Sequence, residues 1–498
     1  MAVTSKGAIL GGRILAILAT VLGIGVCFAT SAGAGTSLHP LMTGVASTLP
    51  EGSTPTQAET DLAFARVRAA GASFVRVTLD WSTIAPTQPS ASSDQANPGN
   101  PAYRWSSFDT QIKALAAHGL EPVVAVFRAP PWARARARND PASPPKIKEW
   151  RAFVTAAARR YRGGFEGLPR IRYWEAWVEP NLQNQLSPQL VNRVPYAPVV
   201  YRSMVNAMAA ALNAVSANDR LVIGGLGPFR DSTQAVVDQD SDWGPLSFMR
   251  ALFCLSSTLA VTCHDPVHAD IWDVHPYTSG GPGHHALLEN DASLGDFDKL
   301  KVVLIAARLA KNLVAPHGLG LWVTEFSWDS SPPDPNGVPM PILSRWVPQA
   351  LYEMWEAGVT RVAWLALRDE PFPSSPYQSG LYFRSGSLAH DTAKPFLQGF
   401  RFPFVAFPSN GSIEVWGRTP TSSAGKVSIE LDVNSKWHRV AVVSANGVGI
   451  FTAHLKLSNT TSSMRARFGD ESSLGFGLQA VPDRFVNPFG TVPPLETR

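Results

Sequence analysis

Cysteine is nearly missing from this chain, with three in 498 residues. Neither a dense disulfide scaffold nor a four-cysteine zinc site can be built from so few. Charge is sparse as well: 16% of residues are Asp, Glu, Lys or Arg, and the formal net charge is +4. The basic residues are scattered along the chain, so nucleic acid is not indicated as a partner. There is no G-x-S-x-G turn and no G-x-G-x-x-G turn, which removes the commonest serine-hydrolase and dinucleotide-binding readings. The apolar stretch over residues 14–29 is short for a membrane span and is flanked by small residues.

That stretch reads instead as an export signal. Lys6 and Arg13 precede it, and Ala32-Gly33-Ala34 offers small residues for cleavage, so residues 1–34 are expected to be removed and the protein secreted, with no stable membrane anchor. Val26 before Cys27 does not fit a lipoprotein site. Loss of Cys27 leaves Cys254 and Cys263, an even pair in an oxidising compartment, and a disulfide is expected between them. A loop so short is stapled by about 2–3 kcal/mol in the chain-entropy account.

Hydrophobic residues make up 45% of the chain, ample for a packed core. From about residue 41 to 400, short β-branched runs alternate with amphipathic stretches, the pattern of parallel strands with crossover helices. Eight strands are expected, at 41–46, 73–79, 121–127, 171–178, 221–224, 271–274, 320–324 and 361–367, with a closing helix at 393–400. The fold class is therefore α/β, a (β/α)8 barrel over 35–403. After Pro403 helical periodicity stops, and alternating stretches at 412–416, 427–431, 439–443 and 449–455 predict a small antiparallel β-sandwich over 404–498. Two roles are open to it, sugar binding or buttressing of the barrel, and the lack of an evident aromatic row favours the buttress. The Pro- and Ser-rich segments 86–101 and 330–341 are insertions on the barrel's carboxyl face.

Catalytic groups of such barrels sit where strands end. Strand four runs Trp174-Glu175-Ala176-Trp177-Val178-Glu179-Pro180-Asn181, and strand seven runs Trp322-Val323-Thr324-Glu325-Phe326-Ser327-Trp328. Two glutamates facing each other across a mouth lined with aromatics are what glycoside hydrolysis needs, one protonating the leaving oxygen while the other attacks the anomeric carbon. The aromatic surplus agrees, because Trp (15) outnumbers Tyr (9). Sugar rings stack on exposed indoles, although core packing uses the same residues.

These two segments resemble the retaining glycoside hydrolases of clan A, families 39 and 5 in particular, whose strand four reads W-E-x-W-N-E-P-N and strand seven W-x-T-E-x-G-W. The resemblance runs from about residue 60 to 400 and does not reach the C-terminal segment. It implies that Glu179 is the acid/base and Glu325 the nucleophile of a double displacement on a carbohydrate. It also implies that Arg76 on strand two and His275 and Tyr277 after strand six hold the nucleophile. A structural alternative for Arg76 is an ion pair with Glu175. By the same likeness Trp364 floors the sugar site and Asn181 is a substrate contact; Trp132 after strand three and Trp81 after strand two are further candidate platforms, and for all three tryptophans core packing is the alternative. One position departs: family members carry Asn before the acid/base, hydrogen-bonded to the sugar 2-hydroxyl, and here that residue is Val178. Val178 leaves open a non-catalytic carbohydrate-binding barrel.

A cation beside Glu325 would keep it ionised, whereas Glu179 needs an apolar shelf, which Trp177 and Val178 could supply. Arg134, Arg136 and Arg138 after strand three read as solvated, or as contacts to an acidic polysaccharide. Cys263, His264, His268, His275, His284 and His285 lie close in sequence, but their spacing fits no structural zinc pattern. No metal and no cofactor is expected.

Overall fold

Runs such as Pro122-Val123-Val124-Ala125-Val126 are apolar on both faces, as strands buried between a barrel interior and a ring of helices must be. Eight of them close into a parallel barrel in the computed structural model, which describes residues 38–48, 55–90, 94–192, 194–229, 243–375, 377–409, 411–456, 462–481 and 483. The strands are β1 (Met42–Val45), β2 (Phe74–Asp80), β3 (Glu121–Phe127), β4 (Tyr173–Ala176), β5 (Arg220–Leu226), β6 (Ile271–Val274), β7 (Gly320–Phe326) and β8 (Val359–Trp364). Each pairs with its neighbour in sequence, and β8 closes on β1 with Met42 opposite Arg361. The expected export signal, with Cys27, lies outside the described residues. Among those described, no helix is long and apolar enough to cross a membrane.

The helices follow from apolar spacing and caps. Helix α1 (Gln57–Ala69) starts at a capping box in which the Glu59 amide donates to Thr56 Oγ1 at 3.2 Å and the Thr56 amide donates to Glu59 Oε2 at 2.9 Å. Helices α2 (Ser106–Ala117), α3 (Ile147–Arg160), α4 (Ala197–Val215), α5 (Pro245–Leu252), α6 (Phe297–Leu309) and α7 (Met340–Glu356) complete the ring. In α3, Trp150, Phe153, Val154 and Ala157 recur at helical spacing and are buried. Just past α5, Cys254 and Cys263 form the disulfide, with Cα atoms 5.1 Å apart.

Inside the barrel one layer is built from Ala46, Phe74, Val123, Val222, Ile271, Trp322 and Ala363, contributed by successive strands or the residue just past them. Gly44 is required there, because a Cβ would stand 2.5 Å from the Phe74 ring. Below this layer Arg361 donates to Glu121 at 2.7 Å and lies 4.4 Å and 4.6 Å over the rings of Tyr173 and Trp322. Above it the interior turns polar.

Several elements differ from expectation, among them β8, which runs Val359–Trp364 where 361–367 was expected. Strand β4 stops at Ala176 because Trp177 and Glu179 take positive φ (67° and 42°), which ends the extended backbone and turns the chain at the mouth. The closing helix shrinks to α8 (Leu397–Arg401), while Thr392–Ala393 pairs antiparallel with Tyr382–Phe383. Pro395 disfavours helix at Lys394, whose buried ammonium donates to Asp369 at 2.5 Å instead.

The C-terminal strands form two sheets: β9 (Phe404–Ser409), β10 (Ser412–Arg418) and β13 (Ile450–Leu455) in one, β12 (Lys436–Ala445), β11 (Gly425–Val433) and β14 (Ser463–Phe468) with two short strands in the other. Strands β9 and β14 were not among those expected. Tyr352 and Trp355 of α7 meet Phe407 and Trp416 with ring centroids 5.4–5.5 Å apart. Buried Arg418 of β10 donates to Leu41 O and Thr43 Oγ1, both at 3.0 Å, at the start of the barrel. Burial, then Arg401, lowers its pKa to about 10. This seam joins barrel and sandwich into one unit from His39 onward.

Candidate active site

Period-two alternation points Arg76 of β2, Glu175 of β4 and Asp273 of β6 into the barrel, one layer above the apolar one. All three are buried, as is His275 just past β6. Arg76 Nε and Nη2 donate to the two oxygens of Glu175, each at 2.7 Å, and Nη1 donates to Glu325 Oε1 at 2.5 Å. Both readings of Arg76 are therefore present together: it is the ion-pair partner of Glu175 and a support for Glu325. Burial opposes its charge, but Glu175 and Glu325 outweigh burial and raise its pKa.

His275 stands between the two glutamates. Its Nδ1 lies 3.0 Å from Glu179 Oε1 and 3.8 Å from Glu325 Oε2, and its Nε2 lies 3.0 Å from Thr324 Oγ1. Thr324 Oγ1 donates to Asp273 Oδ2 at 2.5 Å, so toward His275 it can only accept. Burial disfavours the imidazolium, yet the charge of Glu325, then the hydrogen bond and charge of Glu179, push the His275 pKa up to about 9. With both ring nitrogens protonated, Nδ1–H donates to Glu179. Tyr277 completes the set, its hydroxyl donating to Glu325 Oε2 at 3.2 Å.

For Glu325, burial pushes upward, but His275, then Arg76 and the Tyr277 hydrogen bond, more than offset it and hold the carboxyl below its usual range. Glu325 is thus a carboxylate facing the mouth, its side chain 18% exposed beside a Glu179 that is 16% exposed. Oxygens of the two approach within 4.8 Å of each other. Asp273 is pushed up to about 7 by burial first and then by Glu175. It was absent from the expected residues, although its place two before His275 on one strand face was a usable signal. Gly225 lets β5 pass this cluster at φ +53°: a Cβ would sit 3.1 Å from both Asp273 Oδ2 and Glu175 Oε1.

No protein-family profile and no curated protein matches the chain. Among solved structures it is similar to a family 39 glycoside hydrolase from Bacteroides cellulosilyticus WH2, at 14% identity over 84% of this chain and 81% of that one, with a TM-score of 0.49. A monomeric beta-xylosidase from Caulobacter crescentus CB15 aligns over 86% and 96% at 14% identity and a TM-score of 0.46. The GH39 enzyme from Xanthomonas axonopodis pv. citri aligns over 86% and 94% at 15% identity, also with a TM-score of 0.46.

Several expected contacts are not at the mouth. Trp364 is 1% exposed. On β8 it is Arg361, Ala363 and Leu365 that face the interior, so Trp364 points outward, among Phe326, Trp328, Phe396 and Phe400. Its indole N–H donates to Ser379 O at 2.6 Å. Asn181 is fully buried, its amide nitrogen donating to Gly227 O and Trp243 O and its amide oxygen accepting from Gly227 N–H, so it ties the β4 loop to the β5 loop. Trp81 is buried against Phe153 at 4.9 Å. Trp132 is half-buried, its N–H donating to Ala85 O at 2.8 Å. In the arginine loop Arg134 donates to Ala129 O at 2.9 Å and Arg136 lies 5.0 Å over Tyr196. Cys263 is spent in the disulfide, and His285 faces Asp296 at 3.0 Å. Glu175, Asp273 and His275 form one group of ligand-type atoms, and Glu179, His275 and Glu325 a second. The cations Arg76 and His275 already supply there the positive charge a metal ion would bring.

Arg76→Met is expected to lower stability by about 3–5 kcal/mol, because Glu175 is left buried and unpaired. It also removes a cation from Glu325. The acid limb of the kcat/KM profile should therefore move to higher pH, since the nucleophile then protonates sooner. An unshifted limb in a folded variant would deny Arg76 its part in holding Glu325 ionised.

Proposed function

We propose that this chain is a secreted, retaining glycoside hydrolase acting on a β-linked oligo- or polysaccharide, a xyloside or glucoside being the simplest substrate. The observation that carries this reading is the pair Glu179 and Glu325, with oxygens within 4.8 Å at the carboxyl ends of β4 and β7. That is the close spacing that direct nucleophilic attack requires, whereas inversion needs room for a water between the carboxyls. Glu325, held ionised, attacks the anomeric carbon as the bond to the leaving oxygen breaks, and Glu179 gives that oxygen its proton. Esterification removes the charge of Glu325, so the carboxylate left at Glu179 no longer faces a second anion. Glu179 then takes a proton from water, whose oxygen displaces Glu325 and regenerates the site.

The residues expected to export the chain and the disulfide support placing it outside the cell. Proton NMR during hydrolysis of an aryl β-glycoside tests the assignment: the β-anomer of the sugar should appear first and mutarotate later. First appearance of the α-anomer would show inversion. Failure to cleave any of a panel of aryl glycosides and plant or bacterial polysaccharides would favour the binding-barrel reading that Val178 leaves open.

A further inference from the structure

Strand alternation on β11 sends Val427, Ile429 and Leu431 into the sandwich core and turns Lys426, Ser428 and Glu430 to the other face. Across the ladder Ser428 stands opposite Arg467 of β14, and Glu430 stands between Arg439 of β12 and Arg465 of β14. Arg465 Nε donates to Glu430 Oε2 at 2.6 Å, and its guanidinium lies 4.4 Å over the Trp437 ring. Glu430 is thus spent on Arg465. Among the described residues Lys426 and Arg467 have no acidic partner: Lys426 donates to Ser444 Oγ at 2.8 Å and Arg467 Nε to Gly469 O at 3.2 Å.

A groove of about 370 Å³ runs over this face, lined by Lys426, Ser428, Glu430, Trp437, Arg439 and Arg467. Steps along a strand are about 7 Å per two residues and neighbouring strands lie about 5 Å apart, so the three cations fall within reach of one oligomeric ligand. Like charges gathered on adjacent strands repel, and an anion laid between them relieves the cost. Guanidinium groups favour carboxylates with paired hydrogen bonds.

We propose that this groove binds the carboxylates of an acidic, uronate-bearing polysaccharide, so that the sandwich anchors the enzyme on such a polymer while its other sheet braces the barrel. The choice of a glycan over other polyanions rests on the glycosidase reading; the charge and shape of the groove do not.

Native gel electrophoresis of the full chain tests this, with polygalacturonate, neutral arabinoxylan or no polymer in the gel and duplex DNA in a parallel titration. Retardation by polygalacturonate alone is expected, fading as salt screens the contacts. Lys426→Gln/Arg439→Gln/Arg467→Gln should raise the dissociation constant about tenfold or more, with aryl-glycoside hydrolysis and the melting temperature as in wild type. Exposed Arg439→Gln alone gives a smaller shift and guards against misfolding of the triple variant. Absence of retardation, equal retardation of the variants, or binding of DNA without polygalacturonate would each overturn the proposal. Binding through these residues by a chain that cleaves no glycoside would sustain the groove and sink the catalytic reading.

Discussion

Glu325→Ala is expected to abolish hydrolysis of every substrate, with kcat falling by about five to six orders of magnitude, the scale seen when a covalent nucleophile is removed. An aryl glycoside whose phenolate leaves without a proton should fare no better, because the missing step is attack and not departure. The variant should fold: Arg76 keeps both bonds to Glu175, so no buried cation is stranded. His275 loses the charge that most raises its pKa and keeps its contact with Glu179. Azide fits the space the carboxylate vacates and attacks the anomeric carbon from that side, so a β-glycoside should yield the α-glycosyl azide. Residual turnover within about tenfold of wild type would remove Glu325 from the nucleophile's role.

How much of this site was legible depended on what kind of information each residue needs. Strands β3 and β6 occupy the residues expected of them, Glu121–Phe127 and Ile271–Val274, because β-branched runs between helices leave little choice. Glu179, Glu325, Arg76, His275 and Tyr277 come together because each lies within a strand or no more than three residues past its carboxyl end, and the barrel brings all carboxyl ends to one face. Trp364 failed on parity: which face a β8 residue takes depends on its register against β1 and β7, and a shift of one residue sends the side chain to the other face. The same parity places Leu365, not an indole, on the inner side. Asn181 failed because a motif position fixes identity but not orientation, and two loops competed for its amide. Asp273 needed only the period-two rule applied backward from His275. The outer face of β11 was beyond reach, since Arg439, Arg465 and Arg467 are scattered in sequence and adjacent only after the strands pair.

Glu179→Ala separates the two carboxyls by role, since an acid assists departure whereas a nucleophile must attack whatever leaves. On a substrate with a poor leaving group the variant should lose about two to four orders of magnitude in kcat/KM, the usual span of general acid catalysis. An activated aryl glycoside should retain its first step, because the phenolate needs no proton and Glu325 keeps Arg76 and Tyr277 as partners. Glycosyl-enzyme should then accumulate, visible as a burst of phenolate followed by slow turnover, because no base remains to activate water. Azide needs no deprotonation and should accelerate that second step, giving a β-glycosyl azide from a β-linked substrate, the opposite anomer from the Glu325→Ala product. Glu179→Gln preserves an acceptor for His275 Nδ1 and should show the same burst, which excludes the loss of that hydrogen bond as the cause. Wild-type rates of Glu179→Ala on unactivated substrates, or rescue with inversion at this position, would show that Glu179 is not the acid/base.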